Sequence, residues 1–343
     1  MPPTSDLFEL QDIANAGRGL IAIADISKST KLLTCADPAV HVVFREYRKE
    51  VCAYCFHYDR GRSLPIRNND IAKVFCSEAC HLSWREHTAQ IEIEAWQRLE
   101  SFVKSNSKVA RVFTTDMLLG PKPTIEDIAS QWAQCDDAIR KGPRVRRKNK
   151  ALPSMQAVYP DVLSFELSAI LLHHKRRDVW DQDMAALVFD ETPYKSFTEL
   201  QVTCNSVLQL ATLLPPELIP SCSSSTSLTA TAAGSHNAFG IRAGGEDKEE
   251  YLAWAIYPDA SYFNHSCDPN IDKQRIGRGW HFSAARDISQ GEQLCISYLG
   301  GDEKDMSVTE RRTRLETVWG FICACQHCQA EQTQQQDAIL TPA

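Results

Sequence analysis

The feature that most constrains this chain is the spacing of its cysteines. Thirteen are present, and seven of them fall into two short-range patterns. These are Cys52-x2-Cys55 with Cys76-x3-Cys80, and Cys323-x-Cys325-x2-Cys328. In a chain without an apolar N-terminal run such patterns favour zinc over disulfides, and the odd total argues against complete pairing. The first pattern supplies four thiolates, enough for one tetrahedral structural zinc, with four reduced buried thiols as the alternative.

The overall composition is that of an ordinary globular protein. Of 343 residues, 43% are hydrophobic and 24% are charged, which is ample for a buried core. The net charge of −7 makes nucleic acid an unexpected partner and suits a basic protein substrate instead. No apolar run follows Met1 and none approaches the ~18 residues of a membrane span, so we expect neither a signal peptide nor a membrane partner.

Local patterns predict strands in the first part of the chain and helices in its middle. The glycines of Gly17-Arg18-Gly19 can let a ligand approach the backbone, although a simple turn is the plainer interpretation of so short a motif. Strands are predicted at 21–26 and 40–44, and helices after Ser77, over 91–103, from Pro123 and over 162–174. Cys295 is predicted to be a small core residue on a strand.

Two polar stretches are predicted to lie at the surface. Residues 140–150 carry a basic run, which we interpret as a solvated loop, with a nuclear localisation signal or a nucleic-acid contact as alternatives. Residues 221–227 are rich in serine and threonine and are predicted to form an exposed connection. His87 lies near the first cysteine pattern, but we predict a surface or packing role for it.

Three motifs in the second half of the chain occur in a specific order. They are Asn264-His265-Ser266-Cys267-x-Pro269-Asn270, Gly291-Glu292-x-Leu294-x-Ile296-x-Tyr298, and the final cysteine pattern. Together they resemble the SET-domain protein lysine methyltransferases, over roughly residues 10–330. The early cysteine pattern and Cys204-Asn205-Ser206 are similar to the SMYD branch, which carries a MYND zinc finger. Half of such a finger is present, because 56–75 has no cysteine and Ile91 stands where another is expected.

The resemblance implies an α+β fold with a β-rich, knotted SET core of small sheets. A zinc finger and a helical insertion would interrupt this core, and a zinc-bound segment after it, the post-SET segment, would close it. The expected domains are the N-terminal part of the SET domain (1–50), the MYND-like finger with one zinc (51–90), the helical insertion (91–200), the catalytic core (201–300), the post-SET zinc segment (301–330) and a tail (331–343).

The resemblance also assigns site residues. S-adenosylmethionine would be bound by Gly17, Arg18, Gly19, Asn205, Asn264, His265, Tyr298 and Phe321, and a lysine channel would be lined by Trp319 and Phe321. Trp319 stands where a tyrosine is expected. One zinc would be held by Cys52, Cys55, Cys76 and Cys80, and a second by Cys267, Cys323, Cys325 and Cys328.

The chemistry of methyl transfer fits these assignments. The reaction is an in-line displacement by a neutral amine, so alignment is the main requirement, and Tyr298 would be the catalytic residue that orients the amine. We therefore predict a monomeric methyltransferase, nuclear and cytoplasmic, acting on a lysine of a protein, with histone tails as one candidate. A non-catalytic interaction module is the alternative, and a zinc-dependent nucleic-acid binder is a weaker third hypothesis.

Overall fold

The computed structural model describes residues 2–14, 16–146, 157–187, 190–243, 250–300 and 302–340. The chain forms two compact units. The first comprises Met1–Pro38, Arg242–Tyr251 and Tyr257–Ala343, and the second comprises Ala39–Ile241 and Leu252–Ile256. Segments from both halves of the sequence therefore meet in the first unit.

Strands and helices alternate with turns along the described residues, and the predicted α+β class is confirmed. The strands are β1 (Phe8–Ile13), β2 (Gly17–Ala22), β3 (Lys31–Cys35), β4 (Val40–Val43), β5 (Ile66–Asn68), β6 (Lys73–Phe75), β7 (Ala238–Arg242), β8 (Tyr251–Ile256), β9 (Asn264–His265), β10 (Ile271–Ile276), β11 (Gly279–Ala284) and β12 (Gln293–Ile296). The helices are α1 (Glu78–Glu86), α2 (Gln90–Ser105), α3 (Ile125–Arg146), α4 (Pro160–Lys175), α5 (Arg177–Val179), α6 (Phe197–Leu213), α7 (Ser224–Asn237), α8 (Val308–Trp319) and α9 (Gln326–Leu340).

Two small sheets build the first unit. One has the strand order β1-β2-β12-β9 and the other has the order β10-β11-β3. The antiparallel pairing of β2 with β12 places Leu20 opposite Leu294, and both side chains are fully buried. Small sheets with one buried face need such apolar pairs, because cross-strand contacts between side chains are what stabilise them.

Helices α2, α3, α4 and α6 share one apolar core in the second unit. Their buried residues recur at the i, i+4 and i+7 positions of a helix face, as in Ile128, Trp132 and Cys135 on α3 and Leu163, Leu167 and Ile170 on α4. The indole N–H of Trp132 donates to the hydroxyl of Tyr194 over 3.1 Å. The hydroxyl of one large buried ring therefore satisfies the N–H donor of another.

A small finger lies near the start of the second unit. Strands β5 and β6 form a hairpin that pairs Ile66 with Phe75. Ser77 then caps α1, since its hydroxyl accepts the backbone N–H of Cys80 over 3.2 Å. The turn from β6 into α1 thereby brings Cys76 and Cys80 together.

Several local predictions are confirmed. The predicted helices over 91–103 and 162–174 lie within α2 and α4, and the predicted strand over 40–44 is β4. Cys295 is a buried residue of β12, as expected. These stretches have strong apolar periodicity, which is the most reliable local signal.

The predicted exposed connection at 221–227 is wrong. Ser223 caps α7, because its hydroxyl accepts the backbone N–H of Thr226 over 3.3 Å, and the helix begins at Ser224. Thr226 and Ser227 are each only 1% exposed. Small hydroxyl and methyl side chains allow close packing of this helix, so a polar composition here marks a tightly packed element rather than a solvated one.

The basic run lies only partly within the described residues. Its first part, through Arg146, ends α3, where Gly142 has a φ of 74° and interrupts the helical geometry. The predicted loop is therefore wrong for residues 140–146, which belong to α3. Residues 147–150 lie outside the described residues, and the roles suggested for the run stay predictions. Within the described residues, no helix combines the length and the apolar character that crossing a membrane requires.

Candidate active site and metal centres

A two-residue strand carries the Asn-His pair of the central motif. This strand, β9, lies parallel to β12, with Asn264 opposite Cys295 and His265 opposite Ile296. The backbone N–H of Ser266 donates to the carbonyl oxygen of Ile296 over 3.0 Å and extends the pairing. Residues about thirty positions apart in the sequence are thus held side by side, and Tyr298 follows directly from β12.

Asn270 holds β12 in place, a role that the sequence analysis missed. Its Oδ1 accepts the backbone N–H of Cys295 over 2.9 Å, and its Nδ2 donates to the carbonyl oxygen of Gln293 over 2.9 Å. The side chain is 4% exposed, so the two bonds satisfy a buried amide. The motif contains Asn270, but the partner strand that it bonds is visible only in the fold.

Gly19 allows a close approach between β2 and the Asn-His pair. A Cβ atom at this position would lie 2.6 Å from Nδ2 of Asn264 and 2.8 Å from Nε2 of Gln293, closer than real contacts allow. The same Nδ2 of Asn264 donates to the carbonyl oxygen of Arg18 over 3.2 Å. The Arg18 guanidinium lies 5.4 Å from the centroid of the Tyr262 ring. A side chain at position 19 would therefore require the amide ends of Asn264 and Gln293 to shift.

Gln293 is a second residue that the sequence analysis missed. Its Nε2 is buried and has no hydrogen-bond partner among the described residues. This donor lies beside Gly19 and Asn264. A buried amide without an acceptor costs about 1–3 kcal/mol, so its position beside the predicted cofactor contacts suits a bound ligand with an acceptor atom.

Tyr298 is bonded at both its backbone and its hydroxyl. Its backbone N–H donates to Nδ1 of His265 over 3.0 Å, and its phenol O–H donates to the carbonyl oxygen of Phe263 over 2.8 Å. Burial, and then electrostatic repulsion from Cys295, raise the pKa of Tyr298 well above its ordinary value. The phenol therefore keeps its proton, and its oxygen lone pairs remain available to accept a hydrogen bond.

Aromatic rings gather around Tyr298. The ring centroids of Trp319 and Phe321 lie 5.5 and 6.3 Å from that of Tyr298, and Phe321 lies 6.1 Å from His265. Gly320 ends α8 with a φ of 76°, a left-handed conformation that glycine adopts without strain. This turn allows the aromatic residues on either side of Gly320 to face the same tyrosine. Trp319 and Phe321 are thus brought to Tyr298, and their role in a lysine channel stays a prediction.

Cys267, Cys323, Cys325 and Cys328 converge in the first unit, and we call them the post-SET cluster. All four ligand atoms lie within 4.8 Å of one another. The sulfur of Cys267 lies 3.9 Å from that of Cys323 and 3.5 Å from that of Cys328. Four sulfurs at ~2.3 Å from a tetrahedral zinc would be about 3.8 Å apart, so the geometry fits this metal. All four are free thiols rather than disulfides.

Charged and donor side chains surround the post-SET cluster. Arg311 is 1% exposed and donates to Sγ of Cys328 over 3.6 Å and to Glu331 over 2.9 Å. Nε2 of His265 lies 3.2 Å from Sγ of Cys267. His327 is exposed and pairs with Glu331 over 2.7 Å, so it does not compete with Cys328 for a metal.

Cys52, Cys55, Cys76 and Cys80 converge in the second unit, and we call them the finger cluster. Their ligand atoms also lie within 4.8 Å of one another, with 3.6 Å between the sulfurs of Cys55 and Cys76 and 3.5 Å between those of Cys76 and Cys80. A hydrogen bond from the Cys55 thiol, followed by backbone N–H donors, lowers the pKa of Cys52 to about 5. His87 is exposed and lies outside the cluster, as predicted.

A pocket in the second unit has an unexpected electrostatic character. Its lining includes Lys73, Trp96, Arg48 and Glu100. The Lys73 ammonium lies 3.9 Å above the centroid of the Trp96 ring. Burial, and then the charge of Arg48, lower the pKa of Lys73 to about 7. Near neutral pH this amine is therefore only partly charged, which no local sequence signal indicates.

Asn205 belongs to the second unit. It is a buried residue in the middle of α6, 9% exposed. The other predicted cofactor contacts, from Gly17 to Phe321, lie in the first unit. Its predicted contact with a cofactor stays a prediction.

Comparisons with known proteins agree with these motifs. The family model described as "SET domain" matches residues 17–299. The potential protein lysine methyltransferase SET6 of Saccharomyces cerevisiae is 27% identical over 366 residues, covering 95% of this chain and 96% of the relative. The histone-lysine N-methyltransferase SMYD3 of Mus musculus is 25% identical over 330 residues, covering 95% of this chain and 62%, less than two thirds, of the relative.

The chain also matches a further relative over a shorter stretch, and it was compared with a solved structure. The human SMYD3 is 44% identical over 87 residues, which cover 25% of this chain and 18% of the relative. A solved structure described as the SET domain of LSMT bound to lysine and AdoHcy is 13% identical, with a TM-score of 0.30, and covers 94% of this chain and 54% of that chain. Since the family model spans most of the sequence, including Asn264, His265 and Tyr298, this chain belongs to the SET domain family.

Proposed function

We propose that this chain is an S-adenosylmethionine-dependent protein lysine N-methyltransferase. The observation that carries the proposal is the bonding of Tyr298, whose phenol donates to the carbonyl of Phe263 and keeps its lone pairs free of that bond. The names of the yeast and mouse relatives support the same reaction. S-adenosylmethionine, when bound, would supply an already activated methyl group.

The residues beside β9 suit this cofactor. The unpartnered Nε2 of Gln293 and the absence of a side chain at Gly19 leave a polar, close-fitting surface next to Asn264. We propose that these three residues contact the cofactor, together with Gly17 and Arg18. Asn264 would present its amide while its Nδ2 keeps the bond to the Arg18 carbonyl.

The aromatic group suits the substrate amine. Trp319 and Phe321 would line a desolvated path for a lysine side chain, because aromatic faces accommodate both its aliphatic stem and a methylated ammonium. Desolvation lowers the pKa of a lysine, so the amine would become neutral and nucleophilic. Tyr298 would accept a hydrogen bond from this amine and align it. Its raised pKa excludes a role as an ionised base near neutral pH.

The finer assignment is to the SMYD type, with a MYND-like finger that holds one zinc. The order of the motifs and the finger cluster support it. The substrate would be a lysine of a protein, with histone tails as one candidate, and the protein would act as a monomer in the nucleus and cytoplasm.

The test is a pair of tyrosine variants assayed for cofactor binding and for methyl transfer to a panel of proteins and peptides. Tyr298→Phe should keep calorimetric binding of S-adenosylmethionine but lose about 100-fold or more in kcat, as when one positioned polar contact is removed from a reaction centre. Tyr257→Phe is the matched control, because it also removes a phenol-to-carbonyl bond, to Arg278, outside the aromatic group.

Two outcomes would contradict the proposal. Full activity in Tyr298→Phe would overturn the role of the phenol. A protein that holds both zinc ions but binds no S-adenosylmethionine would instead support the non-catalytic interaction module.

A further inference from the structure

Both ring nitrogens of His265 are engaged, and their partners determine its tautomer. Nδ1 lies 3.0 Å from the backbone N–H of Tyr298, a group that can only donate. Nδ1 must therefore accept, and a neutral imidazole then carries its single proton on Nε2. Nε2 lies 3.2 Å from Sγ of Cys267, so the ring donates to this sulfur.

The sulfur that receives this bond belongs to the post-SET cluster. A metal-bound thiolate is a good hydrogen-bond acceptor, and groups that bond a ligand orient it and tune the metal. The usual arrangement is a ligating histidine oriented by a carboxylate. Here the histidine is the orienting group and Cys267 is the ligand. Cys267 is 7% exposed, so water hardly competes for the bond.

The same short segment holds Tyr298 at two points. Phe263 accepts the phenol O–H, and His265 accepts the backbone N–H, while Cys267 ends the segment in the post-SET cluster. The His265 ring also lies 5.4 Å from the Tyr298 ring, between centroids. Tyr298 is therefore positioned by a segment whose own position is fixed at one end by the cluster.

We propose that His265 is a positioning residue that couples metal binding at the post-SET cluster to the orientation of Tyr298. With metal bound, Cys267 is fixed, His265 keeps its Nε2–H tautomer, and Nδ1 holds the tyrosine backbone. Without metal, the sulfur loses its fixed position, and the ring is no longer restricted to one orientation. The inference rests on the proposed function only in its claim that the orientation of Tyr298 affects catalysis. The coupling between the metal and His265 does not depend on that function.

Two substitutions separate the two bonds of His265. Asn places an amide oxygen near the position of Nδ1, so His265→Asn keeps the acceptor for Tyr298 and loses the donor to Cys267. Gln places an amide nitrogen near the position of Nε2, so His265→Gln keeps the donor and loses the acceptor. His327→Asn is the control, because His327 lies beside the same cluster but bonds Glu331.

The first readout is the rate of zinc transfer to a chromogenic chelator, measured without cofactor or substrate. His265→Asn should release one of the two zinc ions about 10- to 100-fold faster, if the usual loss of metal affinity on removing a bond to a metal ligand lies in the release rate. His265→Gln and His327→Asn should release it at nearly the wild-type rate. Equal release rates in all the variants would overturn the coupling.

The second readout is the ¹⁵N NMR signature of the His265 ring, identified by its loss in His265→Asn. The zinc-loaded protein should show the Nε2–H tautomer, and removal of zinc should abolish the single-tautomer signal. An Nδ1–H tautomer in the zinc-loaded protein, or a signal that stays the same when zinc is removed, would overturn the proposal. If the tautomer and release rates follow expectation but no methyl transfer is found, the proposed function fails and the coupling stands.

Discussion

The finger cluster and the post-SET cluster each consist of four cysteines, but the side chains around the two clusters differ. In the finger cluster, Cys52 is stabilised by a neighbouring thiol and by backbone N–H groups. In the post-SET cluster, Cys328 faces the buried guanidinium of Arg311 and Cys267 faces His265. The first arrangement ties a short hairpin to a helix. The second connects a cysteine cluster, through His265, to Tyr298. Two sets of four cysteines therefore differ in what they hold in place.

The largest difference should appear when one ligand is removed from each cluster. Structural zinc binding contributes roughly 10–16 kcal/mol in small zinc domains, so either Cys267→Ser or Cys76→Ser should lose one of two zinc ions. Cys267→Ser should also abolish binding of S-adenosylmethionine, because it frees the segment that carries Asn264 and His265. Cys76→Ser should retain that binding.

Metal analysis by mass spectrometry and calorimetric titration with S-adenosylmethionine check this prediction. Loss of cofactor binding in both variants would show that the two clusters do not differ in function. Retention of binding in Cys267→Ser would remove the basis for distinguishing them.

A smaller effect is expected at the charge that supports the post-SET cluster. Arg311→Met removes a guanidinium that bonds Cys328, Glu331 and the carbonyl oxygen of Met306. Breaking a fully buried ion pair costs about 3–5 kcal/mol, and because Glu331 is partly exposed we expect about 2–3 kcal/mol. Urea unfolding of the zinc-loaded protein measures the loss.

Arg312→Met is the matched control for this charge. Arg312 bonds the carbonyl oxygen of Cys323 over 2.9 Å and Gln332 over 3.0 Å but contacts no sulfur. Its replacement should cost about 1 kcal/mol, the typical value of a hydrogen bond. Equal losses in the two variants would mean that charge near the sulfur is unimportant.

The smallest effect is expected within the finger, at Lys73 on β6. Its folded pKa is about 7 against 10.5 for the free side chain, so between these values the unfolded chain holds the extra proton and stability rises with pH. The cost of burial is therefore fully present below pH 7 and disappears toward pH 10.5. Lys73→Met should stabilise the protein by about 1–2 kcal/mol at pH 7, after allowance for partial exposure and the lost Trp96 contact.

Urea unfolding of Lys73→Met and of the wild type, each at pH 7 and at pH 9.5, tests whether the substitution stabilises the protein and how this effect changes with pH. The gain from Lys73→Met should shrink at the higher pH. A gain that grows with pH, or a loss at pH 7, would show that Lys73 is charged and well paired in the folded protein.

The sequence predicted what depends on short spacing. The cysteine patterns, the helix of 162–174 and the burial of Cys295 need only local information. The bond between His265 and Cys267 joins neighbours in the sequence, yet it was missed, because it requires the ring orientation that Tyr298 fixes. Asn270 and Gln293 were missed because their surroundings form only when β12 pairs with β2 and β9.

The stretch 221–227 shows the opposite error. Its serine and threonine content is typical of a solvated connection, and local composition alone cannot distinguish that from a capped helix. The distinction depends on the neighbours that bury Thr226 and Ser227, which are distant in sequence. Burial against distant elements is the information that a local pattern lacks.

The pairing of β2 with β12 has a consequence for the order in which the chain can fold during synthesis. Leu20 is made early, yet its partner Leu294 emerges from the ribosome only after more than four fifths of the 343 residues have been translated. Chains dominated by such long-range contacts fold slowly, and domains tend to fold as units while synthesis proceeds. The helices of the second unit can therefore form before β12 is available to pair with β2.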